Sequence, residues 1–255
     1  MRVDRIVATL GRMRKSEDRA DGGDEAANGA RARRPGRPPR GADGAPPTRE
    51  RILTEATALF ARGGPQGVSM RDVAARVGID VSSVHHHFAT KTALYDACFA
   101  RVYEREQRAL APLVDRLAAA VSAGDQGEVA AAMHHLVDGF VDFLQEHPHT
   151  TFLWLRRWLE PTRDSALDAA YALPIYERVE RVLLGAAAGG ALLEPTPHVT
   201  VRSLVWAAHG HITALAAAER DPVAAARERY EFRAYAHRFL DRMYPAPGAE
   251  GAGGR

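Results

Sequence analysis

The chain has 255 residues, 46% of them hydrophobic, enough to bury a sizeable core in one domain and a small second one. Its apolar runs stay below the roughly 18 residues of a membrane helix, and Asp4, Arg5 and Arg12 interrupt the N-terminus where a signal peptide is apolar. The formal net charge is only +2, and a lone cysteine, Cys98, excludes an intramolecular disulfide framework and a multi-cysteine metal site. We therefore expect a cytoplasmic protein without a membrane span, with Cys98 as a small buried side chain.

Positive charge is concentrated at the N-terminal end of the chain. Residues 1–47 contain eleven Lys and Arg against seven Asp and Glu, whereas the remaining 208 residues contain 23 against 25. This segment lacks an apolar period, so we predict a disordered basic arm over 1–47, shorter if translation starts at Met13. The Gly-, Ala- and Pro-rich residues 245–255 are predicted to be a disordered tail.

Between these ends, apolar residues recur at helical spacing without strand alternation and predict an all-α body. The first helix is expected to have Thr48 as its N-cap and to end in the glycine-rich run 63–67. Ser69 and Asp72 form a capping-box pattern for a second short helix, which Gly78 ends.

A third short helix and a long fourth helix are predicted to follow. The third should have Asp80 as its N-cap, with Val84 and Phe88 one turn apart on its inner face. The fourth should begin near Lys91, with Pro112 as a bend or break.

Further helices are predicted over the rest of the chain. An apolar stripe over 129–144 ends at His147 and Pro148, an aromatic segment covers 151–159, and 165–184 is expected to be helical with a kink at Pro174. The apolar stripes of two final helices comprise Val201, Leu204, Val205, Ala208, Ile212 and Leu215 in one and Phe232, Tyr235, Phe239, Leu240 and Met243 in the other.

The pattern of residues 48–95 is typical of a helix-turn-helix. In chain order it contains Arg51-Ile52-Leu53, Ala56 with Leu59-Phe60, Gly67-Val68-Ser69-Met70, Val73-Ala74, Gly78, Val84-His85-His86-His87-Phe88, and Lys91 with Leu94. Together these residues resemble the DNA-binding domain of the tetracycline-repressor (TetR) family of bacterial regulators. The resemblance covers about a fifth of the chain. It implies a DNA-binding domain over 48–95 and a helical ligand-binding and dimerisation domain over 96–244.

The third helix would provide the residues that read base edges in the major groove. Val81, Ser82, Ser83 and His86 occupy the matching positions. Serine serves several bases and Val81 suits a thymine methyl, so these residues define no sequence code. The alternative is that they are merely exposed helix residues.

Other residues near the predicted turn are expected to contact DNA as well. Arg71, close to the start of the second helix, suits a guanine edge and a phosphate equally. Ser69, Ser83, His85 and Lys91 are expected to contact the phosphate backbone, which would make binding salt-dependent.

The histidine run 85–87 is the main departure from the family pattern. The family usually has a tyrosine at the position of His85, and often an aromatic residue at that of Pro65. His85 can still donate to phosphate, and its protonation would make DNA affinity depend on pH. Successive helical side chains point about 100° apart, so His85, His86 and His87 do not predict a metal site.

Within the arm, Arg31 to Arg40 resembles an AT-hook with Gly36-Arg37-Pro38 as its core. Its extended, proline-restricted backbone suits the narrow minor groove, where arginines meet strong negative potential. Pro35 stands where a second core arginine is expected, so a nonspecific basic tether remains the alternative. The minor-groove candidates are Arg33, Arg34, Arg37 and Arg40.

The resemblance also implies a homodimer formed through the last two helices, bound to a palindromic operator. The two apolar stripes fit such an interface, although each could be ordinary core. Candidate effector contacts, any of which could also be core, are largely apolar and comprise Met133, Phe140, Phe152, Trp154, Trp158, Tyr171, Trp206 and His209. They suit a small, largely apolar effector.

Three functions remain open on the sequence. The first is a ligand-responsive transcription regulator, a repressor in the family's commoner role, and the second is an architectural DNA-binding protein without a ligand. The third is an enzyme that uses the C-terminal cavity. The sequence has no nucleophile elbow, phosphate loop or metal-ligand motif, so we expect no catalytic residues and no cofactor.

Overall fold

The computed structural model describes residues 46–159, 166–189, 196–218 and 221–244. These residues form nine α-helices and one π-helical turn, with no strand among them, so the predicted all-α fold is confirmed. The helices are α1 (Thr48–Gly63), α2 (Met70–Val77), α3 (Val81–His87), α4 (Lys91–Ala123), α5 (Gln126–Glu146), α6 (Pro148–Trp158), α7 (Leu173–Ala188), α8 (Pro197–Ala217) and α9 (Pro222–Met243).

Except for Pro46 and Pro47, the predicted arm lies outside the described residues, as does the tail 245–255. None of the described helices combines the length and the apolar character needed to span a bilayer.

Helix α1 begins one residue earlier than predicted. Pro47, not Thr48, is its N-cap, and no side chain caps the helix end. The Pro47 carbonyl accepts hydrogen bonds from the amides of Glu50 and Arg51 at 2.9 and 3.2 Å, which makes Thr48 the first helical residue.

Local signals define α2 and its end as predicted. The Ser69 hydroxyl accepts from the Asp72 amide at 3.2 Å, while the Asp72 carboxylate accepts from the Ser69 amide at 2.7 Å, which is a complete capping box. Gly78 ends α2 in the left-handed conformation, φ 75° and ψ 41°, where glycine avoids the cost of a Cβ. The capping-box and glycine predictions are confirmed.

Helix α4 runs unbroken past Pro112, so of the bend or break predicted there, the break is wrong. Close packing with α5 accompanies this continuity: Gly139 lies against Leu113, the residue after the proline, where a Cβ would collide with the leucine. A helix held along its length by a neighbour can lose one backbone hydrogen bond to proline without ending.

The predicted helix over 165–184 is divided in the structure. Asp168–Ala172 form the π-helical turn, and α7 starts at Leu173 with Pro174 in its first turn, where proline needs no backbone N–H partner. The buried Arg157 of α6 donates to the Asp168 carboxylate at 2.9 Å and ties this turn to α6. Ser165 lies outside the described residues.

A single aromatic core joins the first three helices to α4 and α6. Phe60, Tyr95, Phe99 and Trp154 form a chain of edge-to-face pairs with centroid distances of 5.1, 5.0 and 4.7 Å. Cys98 is fully buried in the same core, as predicted, and burial raises the pKa of its thiol to about 11.

The apolar stripe predicted for α8 lies mainly inside the protein. Val201, Val205, Ala208 and Ile212 are buried in this chain's own core, so the expectation that they form an interface between chains is wrong for these four. On α9, Leu240 is buried too, whereas Tyr235 and Met243 are exposed. Helical periodicity identifies a buried face but not which protein buries it.

Candidate nucleic-acid interface and internal cavity

Helices α2 and α3 and the turn Gly78-Ile79-Asp80 form the predicted helix-turn-helix. Gly78 and Ile79 donate their amides to the Ala74 carbonyl at 2.9 and 3.0 Å, which fixes the direction in which α3 leaves. Asp80 stands at the N-cap position of α3 as predicted, but its side chain makes no capping bond and its backbone carbonyl begins the helix. Val84 and Phe88 are buried, as predicted, and anchor α3 to the core.

The predicted base-reading residues share the outer face of this unit. Val81, Ser82 and His86 on α3 are exposed, as is Arg71 on α2, while Ser83 is half-buried. Arg51 donates to the Val77 carbonyl at 2.7 Å and so holds α1 against the end of α2. The inner sides of α2 and α3 are thus held against the rest of the domain, and their outer face is exposed.

The phosphate-contact candidates differ in how free their donors are. The Ser69 hydroxyl already donates to the Asp72 carboxylate at 2.7 Å, and these hydrogen bonds hold the pKa of that carboxyl below its usual range. Ser69 therefore offers DNA no free hydroxyl proton in this geometry. Lys91, half-buried, is the first residue of α4, directly after Thr90, whose hydroxyl caps the helix by accepting from the Ala93 amide at 3.0 Å.

His85 is constrained by a contact with the end of its own helix. Its Nδ1 lies 3.2 Å from the Ala89 carbonyl oxygen, which can only accept, so Nδ1 carries the hydrogen. A neutral His85 then has Nε2 as an acceptor, and only the imidazolium form can donate from Nε2 to a phosphate. The rings of His86 and His87 pack edge to face with centroids 5.5 Å apart, and within the described ranges no three metal-ligating side chains come together.

An apolar cavity of about 90 Å³ lies among α4, α5, α7, α8 and α9. Its lining is hydrophobic except for Glu106, Thr200 and the two tyrosines, and comprises Glu106, Leu110, Leu117, Met133, Leu136, Val137, Phe140, Ile175, Tyr176, Val179, Leu183, Thr200, Val201, Leu204, Val205, Leu240 and Tyr244. The cavity is smaller than the roughly 300–1,000 Å³ of sites for drug-sized ligands. In this conformation it therefore fits a small ligand.

Of the eight predicted effector contacts, Met133 and Phe140 line this cavity and the other six do not. Trp158 lies at the centre of an aromatic cluster that continues the core through Trp154, with its ring centroid 5.6 Å from that of Trp154, 5.1 Å from Trp206 and 5.2 Å from His209. None of these four residues belongs to the cavity lining.

The remaining predicted contacts are also core or surface residues. Phe152 is half-buried against the aromatic core, and Tyr171 packs with its ring centroid 5.8 Å from that of Tyr103. The buried His209 has its Nδ1 3.0 Å from the Thr151 hydroxyl, and burial lowers its pKa to about 4.

Sequence reasoning did not identify Glu106. It lies in the charged run Glu104-Arg105-Glu106-Gln107-Arg108, which is typical of a solvated face. The signal that could have identified it is spacing: Glu106 is four residues from both Val102 and Leu110, on the buried stripe of α4.

Both the helix-turn-helix segment and the fold of the chain match known proteins. Residues 52–98 match the model of bacterial regulatory proteins of the tetR family. They are therefore a tetR-family helix-turn-helix DNA-binding domain, and the resemblance predicted from the sequence is confirmed. No curated protein sequence matches the chain.

Solved structures of TetR regulators share the fold of the described chain. PfmR, a TetR-family transcriptional regulator from Thermus thermophilus, is 20% identical with a TM-score of 0.53, covering 79% of this chain and 98% of its own. A TetR-like transcriptional regulator from Rhodococcus sp. RHA1 is 19% identical with a TM-score of 0.53, covering 76% and 95%. A TetR transcription regulator from Haloarcula marismortui ATCC 43049 is 18% identical with a TM-score of 0.52, covering 77% and 97%.

Proposed function

We propose that this chain is a transcription regulator, a repressor that binds a palindromic operator as a homodimer and responds to a small, largely apolar effector. The observation that carries the proposal is the tetR-family match over residues 52–98, together with the exposed outer face of α2 and α3. In this reading the protein is a binding protein rather than an enzyme.

For DNA recognition, we assign Val81, Ser82, Ser83 and His86 to base edges and Arg71 to a guanine edge. Val81, Ser82, Ser83 and His86 lie on α3, where the first turns of a recognition helix meet the bases, and Arg71 is the second residue of α2.

We assign Lys91 and protonated His85 to phosphates, with Ser83 as a further phosphate contact. Ser69 is a weaker contact, because its hydroxyl already donates to Asp72. The proposed minor-groove contacts, Arg33, Arg34, Arg37 and Arg40, lie outside the described residues.

For the dimer, we propose the outer faces of α8 and α9. Val199 and Trp206 are seven residues apart on α8 and are 48% and 44% exposed, which is high for large apolar side chains. Gly210 lies one turn beyond Trp206 with open space where a Cβ would point, so a second backbone could approach closely. On α9, Tyr235 is a further large side chain with high exposure, at 51%.

A charge at the proposed interface tests the dimer. Tyr235→Glu should shift the chain from dimer to monomer in analytical ultracentrifugation, because an unpaired carboxylate would be buried between the chains. Tyr230→Glu is the matched control, since Tyr230 is an exposed tyrosine on a different side of the same helix. A dimer that survives Tyr235→Glu, or equal loss in both variants, would contradict this face.

For the effector, the apolar cavity is the proposed site, and α4 is the proposed connection to DNA. Lys91 begins α4 and Glu106 lies fifteen residues further on, about 22 Å along the helix. Between them, the buried Arg101 donates to the Glu50 carbonyl and the Thr54 hydroxyl of α1, at 3.3 and 2.8 Å. A ligand that moves α4 would therefore move α1 with it.

Sequence specificity tests the regulator most simply. We expect the full chain to bind its own upstream DNA at least about a thousandfold more tightly than a shuffled duplex of equal length and composition at fixed salt. Fluorescence anisotropy measures both affinities. Equal affinity for the two duplexes would reject the regulator in favour of an architectural DNA-binding protein.

A further inference from the structure

Glu106 is the one carboxylic acid among the described residues that line the cavity. It belongs to the middle of α4, is 4% exposed, and lines the cavity together with side chains from α5, α7, α8 and α9. No hydrogen bond or ion pair from the described residues reaches its carboxyl group. A buried polar group without a partner is unfavourable unless a ligand completes it.

The surroundings of Glu106 contain no positive charge to balance it. The lining has no Lys, Arg or His among the described residues, and its other polar side chains are Thr200, Tyr176 and Tyr244. Burial raises the pKa of the Glu106 carboxyl to about 8, and Glu106 in turn contributes to the raised pKa of the Tyr176 hydroxyl. Burial in this lining therefore favours the neutral acid at pH 7.

Other buried charged side chains of α4 and α6 do have partners. Arg101 has partners on α1, and Arg157 pairs with Asp168 across 2.9 Å. Glu106 alone of these three is directed to a cavity rather than to an opposite group.

We propose that Glu106 is the recognition group for an apolar amine, whose ammonium pairs with the carboxylate while its hydrocarbon part fills the cavity. The inference rests on the proposed effector site and specifies the chemical class of the effector. The hydrocarbon lining excludes strongly hydrated cations, and a ligand carboxylate would meet Glu106 as a second acid.

Binding of such an amine releases a proton. In solution near pH 7 the amine enters as its ammonium form, and the Glu106 carboxylic acid loses its proton to solvent when the ion pair forms. No covalent bond changes. One proton is released for each amine bound to a neutral Glu106, so the observed binding enthalpy depends on the ionisation enthalpy of the buffer.

The cavity volume limits the size of the first probe. An engineered cavity of about 150 Å³ holds benzene, with six non-hydrogen atoms, so by proportion about 90 Å³ suits a ligand of about four. n-Butylamine, one atom larger, is close to this size, and 1-butanol is its neutral counterpart of equal length.

Isothermal titration of the full chain with n-butylamine and 1-butanol tests the inference. Wild type should bind the amine at least about tenfold more tightly than the alcohol, because close charge pairs in dry sites contribute more than about 1.4 kcal/mol. Glu106→Gln should lose this preference while its 1-butanol affinity stays within about twofold. Proton release on amine binding, measured in two buffers at pH 7, should also disappear in Glu106→Gln.

Glu104→Gln is the matched control, since Glu104 is an exposed acid on the same helix and should leave both affinities unchanged. Circular dichroism checks that Glu106→Gln folds; if it does not, the amine-to-alcohol ratio and the proton release of wild type decide. Equal wild-type affinity for the two probes, no binding of either, or amine binding unaffected in folded Glu106→Gln would each overturn the inference.

Operator binding without ligand is measured in the same samples. Specific DNA binding with no amine preference rejects the amine inference alone, whereas amine binding without DNA specificity rejects the proposed regulator and leaves the amine site.

Discussion

Two buried charged residues of α4, five positions apart, have opposite surroundings. Arg101 is 7% exposed and donates to the Glu50 carbonyl and the Thr54 hydroxyl, so it fastens α4 to the first helix of the DNA-binding domain. Glu106 is 4% exposed and lines the cavity without such a partner. The first arrangement stabilises the fold, and the second leaves an interaction for a ligand. One helix thus serves as a structural connection and as a wall of the proposed effector site.

The largest effect is expected at the aromatic core on the Arg101 side. Phe99→Ala should lower the free energy of unfolding by about 3–5 kcal/mol, because the ring is fully buried between Tyr95 and Trp154. Urea denaturation measures this. Phe239→Ala, a half-buried phenylalanine on α9, is the control and should cost clearly less; equal losses would mean that the two regions are not packed differently.

Arg101→Leu should destabilise the chain by about 1–3 kcal/mol, because the Glu50 carbonyl and the Thr54 hydroxyl lose a buried donor. The measurement is again urea denaturation. Arg105→Leu, four residues further along α4, is the control. A loss no greater than the control's would show that Arg101 does not fasten α1 to α4.

Unlike Arg101→Leu, Glu106→Gln should stabilise the chain, and only at higher pH. Burial raises the pKa of the wild-type carboxyl from 4.5 to about 8, so its contribution is fully present below pH 4.5 and is lost as pH rises through 8. Glutamine does not ionise, so the variant should be about 1–3 kcal/mol more stable than wild type at pH 8.5. Thermal melts at pH 4.5, 7 and 8.5 test this; a difference independent of pH would contradict the prediction.

On the DNA-binding face, two basic residues should differ in what they contribute. Arg71→Ala should cost about 1–3 kcal/mol on the specific site and relax specificity at one base pair. Lys91→Ala should weaken all duplexes alike and reduce the salt slope by about one. Anisotropy titrations on specific and shuffled DNA at several salt concentrations separate them, and equal behaviour of both variants would remove the distinction.

The smallest expected effect on DNA binding is at His85, whose Nδ1 donates to the Ala89 carbonyl and leaves Nε2 for a phosphate. His85→Ala should weaken binding to all duplexes severalfold or less, while His87→Ala, at its exposed neighbour, should not. Anisotropy titrations at fixed salt and pH measure both variants. Unchanged affinity of His85→Ala would reject the role.

The DNA-binding segment could be predicted from the sequence because its signals are local. Ser69 with Asp72, Gly78, and Val84 with Phe88 each specify structure within about four residues. Thr48 was displaced as an N-cap by its neighbour Pro47, which is within the usual uncertainty of helix ends.

The cavity could not be predicted in the same way, because five helices separated in the chain define it. Trp154 and His209 were predicted as effector contacts with ordinary core as the alternative, and the sequence could not tell an aromatic cluster from a cavity wall. Glu106 was hidden by its charged neighbours along the chain, although its spacing from Val102 and Leu110 carried the information.

A ligand-responsive regulator requires the cavity and the DNA-binding face to be coupled, here through α4, and reciprocal linkage measures that coupling. Operator affinity is measured with and without saturating n-butylamine, and n-butylamine affinity with and without operator. We predict that both change by the same factor, about fivefold or more, and that Glu106→Gln abolishes the change. Operator affinity that stays the same while wild type is saturated with the amine would contradict the coupling.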